Sequence, residues 1–158
     1  ESILHASVIS KNIKINYVHG DFLLANHEEQ YDIAIGNPPF MKIPSSHKSY
    51  RLYKSQSRNK KTNNIFNFFL ERVVDIANYV SFIVPKSILG SPEFNATRSE
   101  LSKLEFDSIF DFGEKGFKGV LIETIGLNFH TRTLNLKNKI FEFLTLIDFS
   151  TIEVIPYF

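Results

Sequence analysis

The sequence predicts an α/β fold with a mainly parallel sheet that closes on an antiparallel pair. Short apolar runs of strand character alternate with amphipathic helical stretches, the signature of parallel strands joined by helical crossovers. Only Gly113 to Val120 separate the last two clear runs, Phe106 to Phe112 and Leu121 to Phe129. That gap is too short for a helical crossover, so these two are predicted to be antiparallel neighbours. At 158 residues and 43% hydrophobic content the chain suits one domain with a true core, and is too short for two.

Taken in order, Glu1 to Ser10 reads as the end of a helix, and Ile13 to Val18 alternates apolar and polar residues as a strand before His19-Gly20-Asp21. Tyr31 to Gly36 is a second strand, stopped by Asn37-Pro38-Pro39-Phe40. Ile65, Phe66, Phe68, Phe69, Leu70, Val73, Val74, Ile76 and Ala77 form an apolar stripe with Glu71, Arg72 and Asp75 opposite, which predicts a core helix. Tyr79 to Val84 follows as a buried strand. Ser91 and Pro92 supply an N-cap and an N1 proline for a short helix to Leu104. After His130, Phe141 to Phe149 and Thr151 to Ile155 form either a further hairpin or the start of a link to another domain. The expected organisation is therefore a main body over 1–135 and a strand, hairpin or linker segment over 136–158.

The chain has no cysteine, which excludes disulfides, thiolate zinc sites and cysteine nucleophiles. No metal site is expected. Its apolar runs fall far short of the roughly 20 residues that span a bilayer, and its first residues lack a signal pattern. A cytoplasmic location without membrane attachment is the expectation.

Charge is unevenly placed. The net charge is +1, yet Met41 to Lys61 holds Lys42, Lys48, Arg51, Lys54, Arg58, Lys60 and Lys61 with no acid. Such a stretch favours a polyanionic partner. His47, Tyr50 and Tyr53 are interleaved with these cations, so one mobile loop could supply both phosphate contacts and stacking; a plain solvated loop is the alternative.

Asn37-Pro38-Pro39-Phe40 has distinctive chemistry. Two prolines fix φ and remove two donors, leaving a stiff, acceptor-rich loop. Asn37, before a proline, is driven toward an extended conformation. Its amide then projects from a strand end, where open α/β sheets bind ligands. If the Asn37 side-chain oxygen and the Pro38 carbonyl accept the two hydrogens of a planar exocyclic amine, the nitrogen is drawn toward tetrahedral geometry and its lone pair is freed to attack. Phe40 could stack on the ring, worth roughly 1–3 kcal/mol. Chemistry alone leaves any planar amine open, and equally a loop that merely ends a strand with Phe40 in the core.

Together with His19-Gly20-Asp21-Phe22-Leu23 upstream, this string resembles the amino-group methyltransferases that use S-adenosylmethionine. Asn63-Asn64-Ile65-Phe66, Phe82-Ile83-Val84-Pro85-Lys86-Ser87, Ile109-Phe110-Asp111-Phe112-Gly113-Glu114-Lys115-Gly116-Phe117 and Ile122-Glu123-Thr124-Ile125-Gly126-Leu127-Asn128-Phe129 follow in order. The ordered set, over about residues 1 to 130, resembles the adenine-N6 DNA methyltransferases of bacterial restriction-modification systems. The resemblance implies a partial Rossmann-like methyltransferase sheet lacking its first two strands, S-adenosylmethionine as cofactor and double-stranded DNA as partner. It implies that Asn37 and Pro38 hold the target amine within the Asn37-Pro38-Pro39-Phe40 loop while Phe40 stacks on the base. Asp21 would bond the cofactor's adenine amine and Phe22 would pack on that ring. Phe129 would face the target base, and Lys42, Lys48, Arg51, Lys54 and Arg58 would meet phosphates. A turn residue at Asp21 and core aromatics at Phe22 and Phe129 are the competing readings. Methylation of another planar amine, on an RNA base or a protein glutamine, and a non-catalytic nucleic-acid-binding module are the competing functions.

One departure matters. The family's glycine-rich turn and following acidic residue do not precede Asp21. The expectation is a fragment, or one half of a split enzyme, that begins after the first half of the cofactor site and lacks a target-recognition domain. Alone it would be inactive and bind S-adenosylmethionine weakly. Strand Ile13 to Val18 would lose its neighbours, which predicts rearrangement or self-association through an exposed sheet edge.

Overall fold

The computed structural model describes residues 16–27, 30–113, 122–132, 142–148 and 151–156. Its centre is a six-stranded mixed sheet in the order β1-β2-β4-β3-β5-β6. Strand β1 (Tyr31–Gly36) runs parallel to β2 (Ala77–Pro85). Strand β4 (Thr124–His130) lies between β2 and β3 (Glu105–Gly113), antiparallel to both. The predicted antiparallel pair is thus present, and its second strand inserts beside β2 instead of extending the sheet outward. Strand β5 (Glu142–Asp148) pairs parallel with β3, and β6 (Thr151–Pro156) antiparallel with β5.

Two helices separate β1 from β2. The first, α1 (Tyr50–Gln56), was not expected: the basic stretch predicted a loop. The second, α2 (Ile65–Ile76), buries Phe66, Leu70 and Val73 at helical spacing. Each such burial stabilises by roughly 1.5–3 kcal/mol. These side chains meet Val80, Phe82 and Val84 of β2 and Ile125, Leu127 and Phe129 of β4, forming one core with Phe94 and Leu101.

The helix passes into β2 without a loop. Ala77, assigned to the helix by the apolar stripe, already has extended backbone (φ −125°, ψ 149°) and is the first residue of β2. Its N–H still bonds to Val73 O, so it closes the helix while opening the strand.

The helix predicted from Ser91 to Leu104 is divided. A 3-10 turn at Pro92–Phe94 leads into α3 (Asn95–Leu101), and Ser91 makes no side-chain cap. Arg98 holds this corner, donating to Ile88 O at 2.7 Å and Ser91 O at 2.9 Å.

The expected helix at 1–10 and residues 13–15 of the expected first strand lie outside the described residues. Residues 16–18 are described and take no part in the sheet. Among the described residues β1 is the sheet's edge, bonded to β2 alone, and Tyr31, Ile33 and Ile35 are exposed along it.

Candidate active site

Strand β1 delivers Asn37 to the C-terminal end of the sheet. Gly36 pairs with Phe82, and a Cβ at Gly36 would stand 2.8 Å from Phe82 Cε1. A side chain at position 36 would have to displace the Phe82 ring. Asn37 is then exposed, and among the described residues its amide makes no hydrogen bond. Pro38 is buried and Pro39 exposed, while the Pro38 carbonyl accepts no hydrogen bond from the described residues. Two unclaimed acceptors therefore stand together on a backbone that prolines keep stiff.

Asn37, Pro38 and Pro39 line a cleft of about 670 Å³, shared with Asp21, Phe22, Ile33, Phe69 and Val73. That volume is within the range of small-molecule sites. Phe40 is not part of its lining. The Phe40 ring is half-buried and meets Phe66 edge-on at 6.5 Å and 89°, so one side belongs to the core.

Asp21 opens a single turn. Its carbonyl accepts from the N–H groups of Leu24 (3.2 Å) and Ala25 (2.9 Å), and Oδ1 accepts from Leu23 N–H at 3.1 Å. The turn reading of Asp21 is thus correct as far as it goes. Its Oδ2 accepts from the Tyr53 hydroxyl at 2.5 Å, and a carboxylate with two such bonds keeps further lone pairs for a ligand. Burial, then the bond to Asp21, raises the Tyr53 pKa, so this hydroxyl stays a donor. Phe22, half-buried, stacks on Phe69 at 5.1 Å and 14°, with His27 tilted against it at 4.8 Å.

The lining suits the adenosine end of the expected S-adenosylmethionine. Asp21 is an acceptor for an amine, Phe22 is an aromatic plate, and Ile33 and Val73 are apolar walls. No Lys or Arg among the described residues lines the cleft to meet a carboxylate.

The basic stretch is largely structural. Lys54 Nζ donates to Thr62 O and to Asn63 Oδ1, and burial lowers its pKa. Arg58 holds both Asp75 oxygens, at 2.9 and 3.2 Å, and Glu71 O at 3.1 Å. Lys42 pairs with Glu93 at 3.4 Å, and Lys60 donates to Lys54 O and Ser55 O at the end of α1. Lys54 and Arg58 thus have partners within the chain, where the resemblance implied phosphate contacts. Lys48, Arg51 and Lys61 are exposed, and their side chains have no partner among the described residues.

Phe129 is also corrected. Its ring is 0% exposed and lies 5.1 Å from Phe106, so it is core, the competing reading. A fully buried ring has no face for a base.

Two features were missed from sequence. Asn59, 0% exposed, donates to Glu93 O and Thr97 Oγ1, both at 2.8 Å, and Thr97 Oγ1 donates to Asn67 Oδ1 at 2.5 Å. Glu71 accepts the N–H groups of Arg58 (2.8 Å) and Asn59 (2.9 Å). This network ties residues 58–64 to α2 and α3; asparagines in a basic, polar stretch carried no sign of burial. The other feature is Lys86, bonded to Asp111 Oδ2 at 2.7 Å across the ends of β2 and β3. The blocks containing these two residues were visible, but their pairing depends on β4 lying between them.

Residues 4–117 match the family described as Eco57I restriction-modification methylase. The Type II methyltransferase M.BsuBI of Bacillus subtilis is 29% identical over 102 residues, which is 61% of this chain and 20% of that protein. Among solved structures, a protein described as a class I S-adenosylmethionine-dependent methyltransferase from Listeria monocytogenes superposes with a TM-score of 0.72 at 19% identity, over 92% of this chain and 45% of the other. The M protein of the Type I restriction enzyme EcoKI gives 0.57 at 17% identity, over 75% and 26%. The chain therefore spans about a fifth of its curated relative and under half of either structure. The fold is that of class I methyltransferases.

Proposed function

We propose that this chain, which belongs to the Eco57I restriction-modification methylase family, holds the amine-binding part of an enzyme that transfers a methyl group from S-adenosylmethionine to adenine N6 in duplex DNA. What carries this reading is the acceptor pair after β1, Asn37 Oδ1 and Pro38 O, unclaimed among the described residues, in a loop that lines the cleft shared with Asp21 and Phe22. When bound, S-adenosylmethionine supplies an electrophilic methyl on a positively charged sulfur. Asn37 and Pro38 accept the two amine hydrogens and turn the nitrogen lone pair out of the ring. With the cofactor in place, the lone pair that Asn37 and Pro38 free would be the nucleophile toward that methyl, and the nitrogen would release one proton to water. Phe40 stacks on the base with the part of its ring left outside the core.

DNA is favoured by the family's restriction-modification role and by Lys48, Arg51 and Lys61, three cations with no internal partner among the described residues. An amine within a duplex must be swung out before it reaches such a cleft, and these cations lie on the segment that follows Phe40. In this account the isolated chain transfers no methyl group, which a labelled-methyl assay on it alone checks.

Asn37→Ala in the complete protein tests the assignment. A bond that strengthens as the nitrogen pyramidalises acts on the transition state. Single-turnover methyl transfer should fall by roughly 10²–10³-fold, the scale of losing one preorganised hydrogen bond, with cofactor affinity nearly unchanged. A wild-type rate in the variant would overturn the role of Asn37.

A further inference from the structure

We propose that Tyr53 is a positioning residue that holds the Asp21 carboxylate for the cofactor's amine and couples it to the DNA-facing segment, an inference that rests on the function proposed above. Helix α1 has two faces. Tyr50, Tyr53 and Lys54 turn inward, while Arg51, Leu52 and Ser55 are wholly or largely exposed or face out. Tyr53 is 7% exposed and packs with Leu23, Ile43 and Phe68. His47 stacks on it at 6.3 Å and 27°.

From that buried position its hydroxyl reaches Asp21 Oδ2 at 2.5 Å. Among the described residues the Asp21 carboxylate has one other hydrogen bond, to Leu23 N–H within its own turn. That local bond moves with the turn. The Tyr53 bond, 32 residues away in sequence, is the one that refers the carboxylate to the body of the protein. Leu23 packs against Tyr53 in the same cluster, so the turn and α1 are joined twice.

Arg51 lies on the outward face of the same short helix, and Lys48 lies two residues before its start. A phosphate drawn to these two cations settles α1, and with it the hydroxyl that sets the Asp21 oxygen. By linkage the effect is reciprocal: DNA tightens cofactor binding as cofactor tightens DNA binding. The raised Tyr53 pKa supports this, since the donor stays protonated throughout.

Calorimetry with S-adenosylmethionine on the complete protein, with and without sonicated duplex DNA, provides the test. In the wild type, DNA should tighten cofactor binding by about fivefold or more. Tyr53→Phe should weaken cofactor binding by about tenfold and remove the DNA effect. Tyr50→Phe, which removes from the same helix a hydroxyl that donates to Asn63, should keep both. Hydrogen exchange on the wild type serves as a second readout that needs no variant: duplex DNA alone should raise protection of the Leu23, Leu24 and Ala25 amides, which all bond to Asp21. A Tyr53→Phe protein with wild-type affinity and DNA response, or a turn whose protection ignores DNA, overturns the role of Tyr53 and leaves the methyltransferase reading standing. A wild-type protein that binds no S-adenosylmethionine overturns both.

Discussion

Phe40 and Phe129 look alike in sequence and differ entirely in the fold. Each ends or nearly ends a strand-like run, and each resembled a base-stacking aromatic. Phe129 is fully buried against Phe106, whereas Phe40 touches Phe66 with one edge and stays half-exposed. Phe129→Ala should cost about 3–5 kcal/mol of stability, with DNA affinity per folded molecule unchanged. Phe40→Leu should stay within about 1.5 kcal/mol of wild type, since leucine fills the core side. It should still lower the extrahelical base signal from duplexes carrying a fluorescent purine at the target. Denaturant melts and fluorescence titration check both, and a Phe129→Ala protein of wild-type stability would refute the burial account. The strand-end position of Asn37 and the turn at Asp21 were legible because backbone chemistry dictates them: an asparagine before a proline, and an aspartate after a glycine. Phe129 was not, because alternation along β4 does not show that a second layer covers its face.

Among the elements, the segment between β1 and α2 departs most from expectation. Its seven cations read as one mobile phosphate-binding loop. In the fold it contains α1 and residues 58–64, pinned by Asn59, Thr97, Asn67 and Glu71. Tyr50, Tyr53 and Lys54 did carry the helical spacing, but one buried stripe in a seven-residue helix is hard to tell from scattered aromatics. The salt dependence of DNA binding separates free cations from anchored ones. Lys48→Ala, Arg51→Ala and Lys61→Ala should each reduce the slope by about 0.9. Lys54→Ala and Arg58→Ala should leave the slope unchanged and lower stability, by about 1 kcal/mol for the exposed Arg58 pair. Equal slope changes at all five would return the whole stretch to a plain phosphate-binding loop.

The β2–β3 junction makes a separate prediction. The hydrogen bond to Asp111 raises the Lys86 pKa above its ordinary 10.5, against an opposing effect of burial. Protonated lysine is thus favoured by folding. The contribution is fully present below the unfolded pKa and is lost as pH rises through the higher folded value. The gap in denaturant midpoint between wild type and Lys86→Met should hold from about pH 7 to about pH 10 and close above that. A gap that closes below about pH 9 contradicts the pairing.

At the scale of the whole molecule, the alternation of strands and helices was legible from apolar patterning, and the antiparallel β3–β4 pair from the length of the gap between its strands. Their spatial order was not, since nothing in the sequence says that β4 inserts between β2 and β3. The exposed edge has a direct consequence. Ile35 is 80% exposed on a strand bonded on one side among the described residues, an arrangement that invites pairing with another chain. The isolated chain should self-associate with rising concentration, and Ile35→Lys should reduce this without changing its circular dichroism. A wild-type chain that stays monomeric in sedimentation at high concentration would contradict this.

All three scales bear on the proposal that the loop after β1 presents a rigid acceptor pair to the amine of an extruded adenine. The most direct test is transfer of labelled methyl from S-adenosylmethionine by the complete protein, offered DNA, RNA and protein substrates, with the DNA then digested to nucleosides. The account predicts label in DNA as N6-methyladenine. Label in RNA, in protein or on any other DNA base, or none at all, would contradict it.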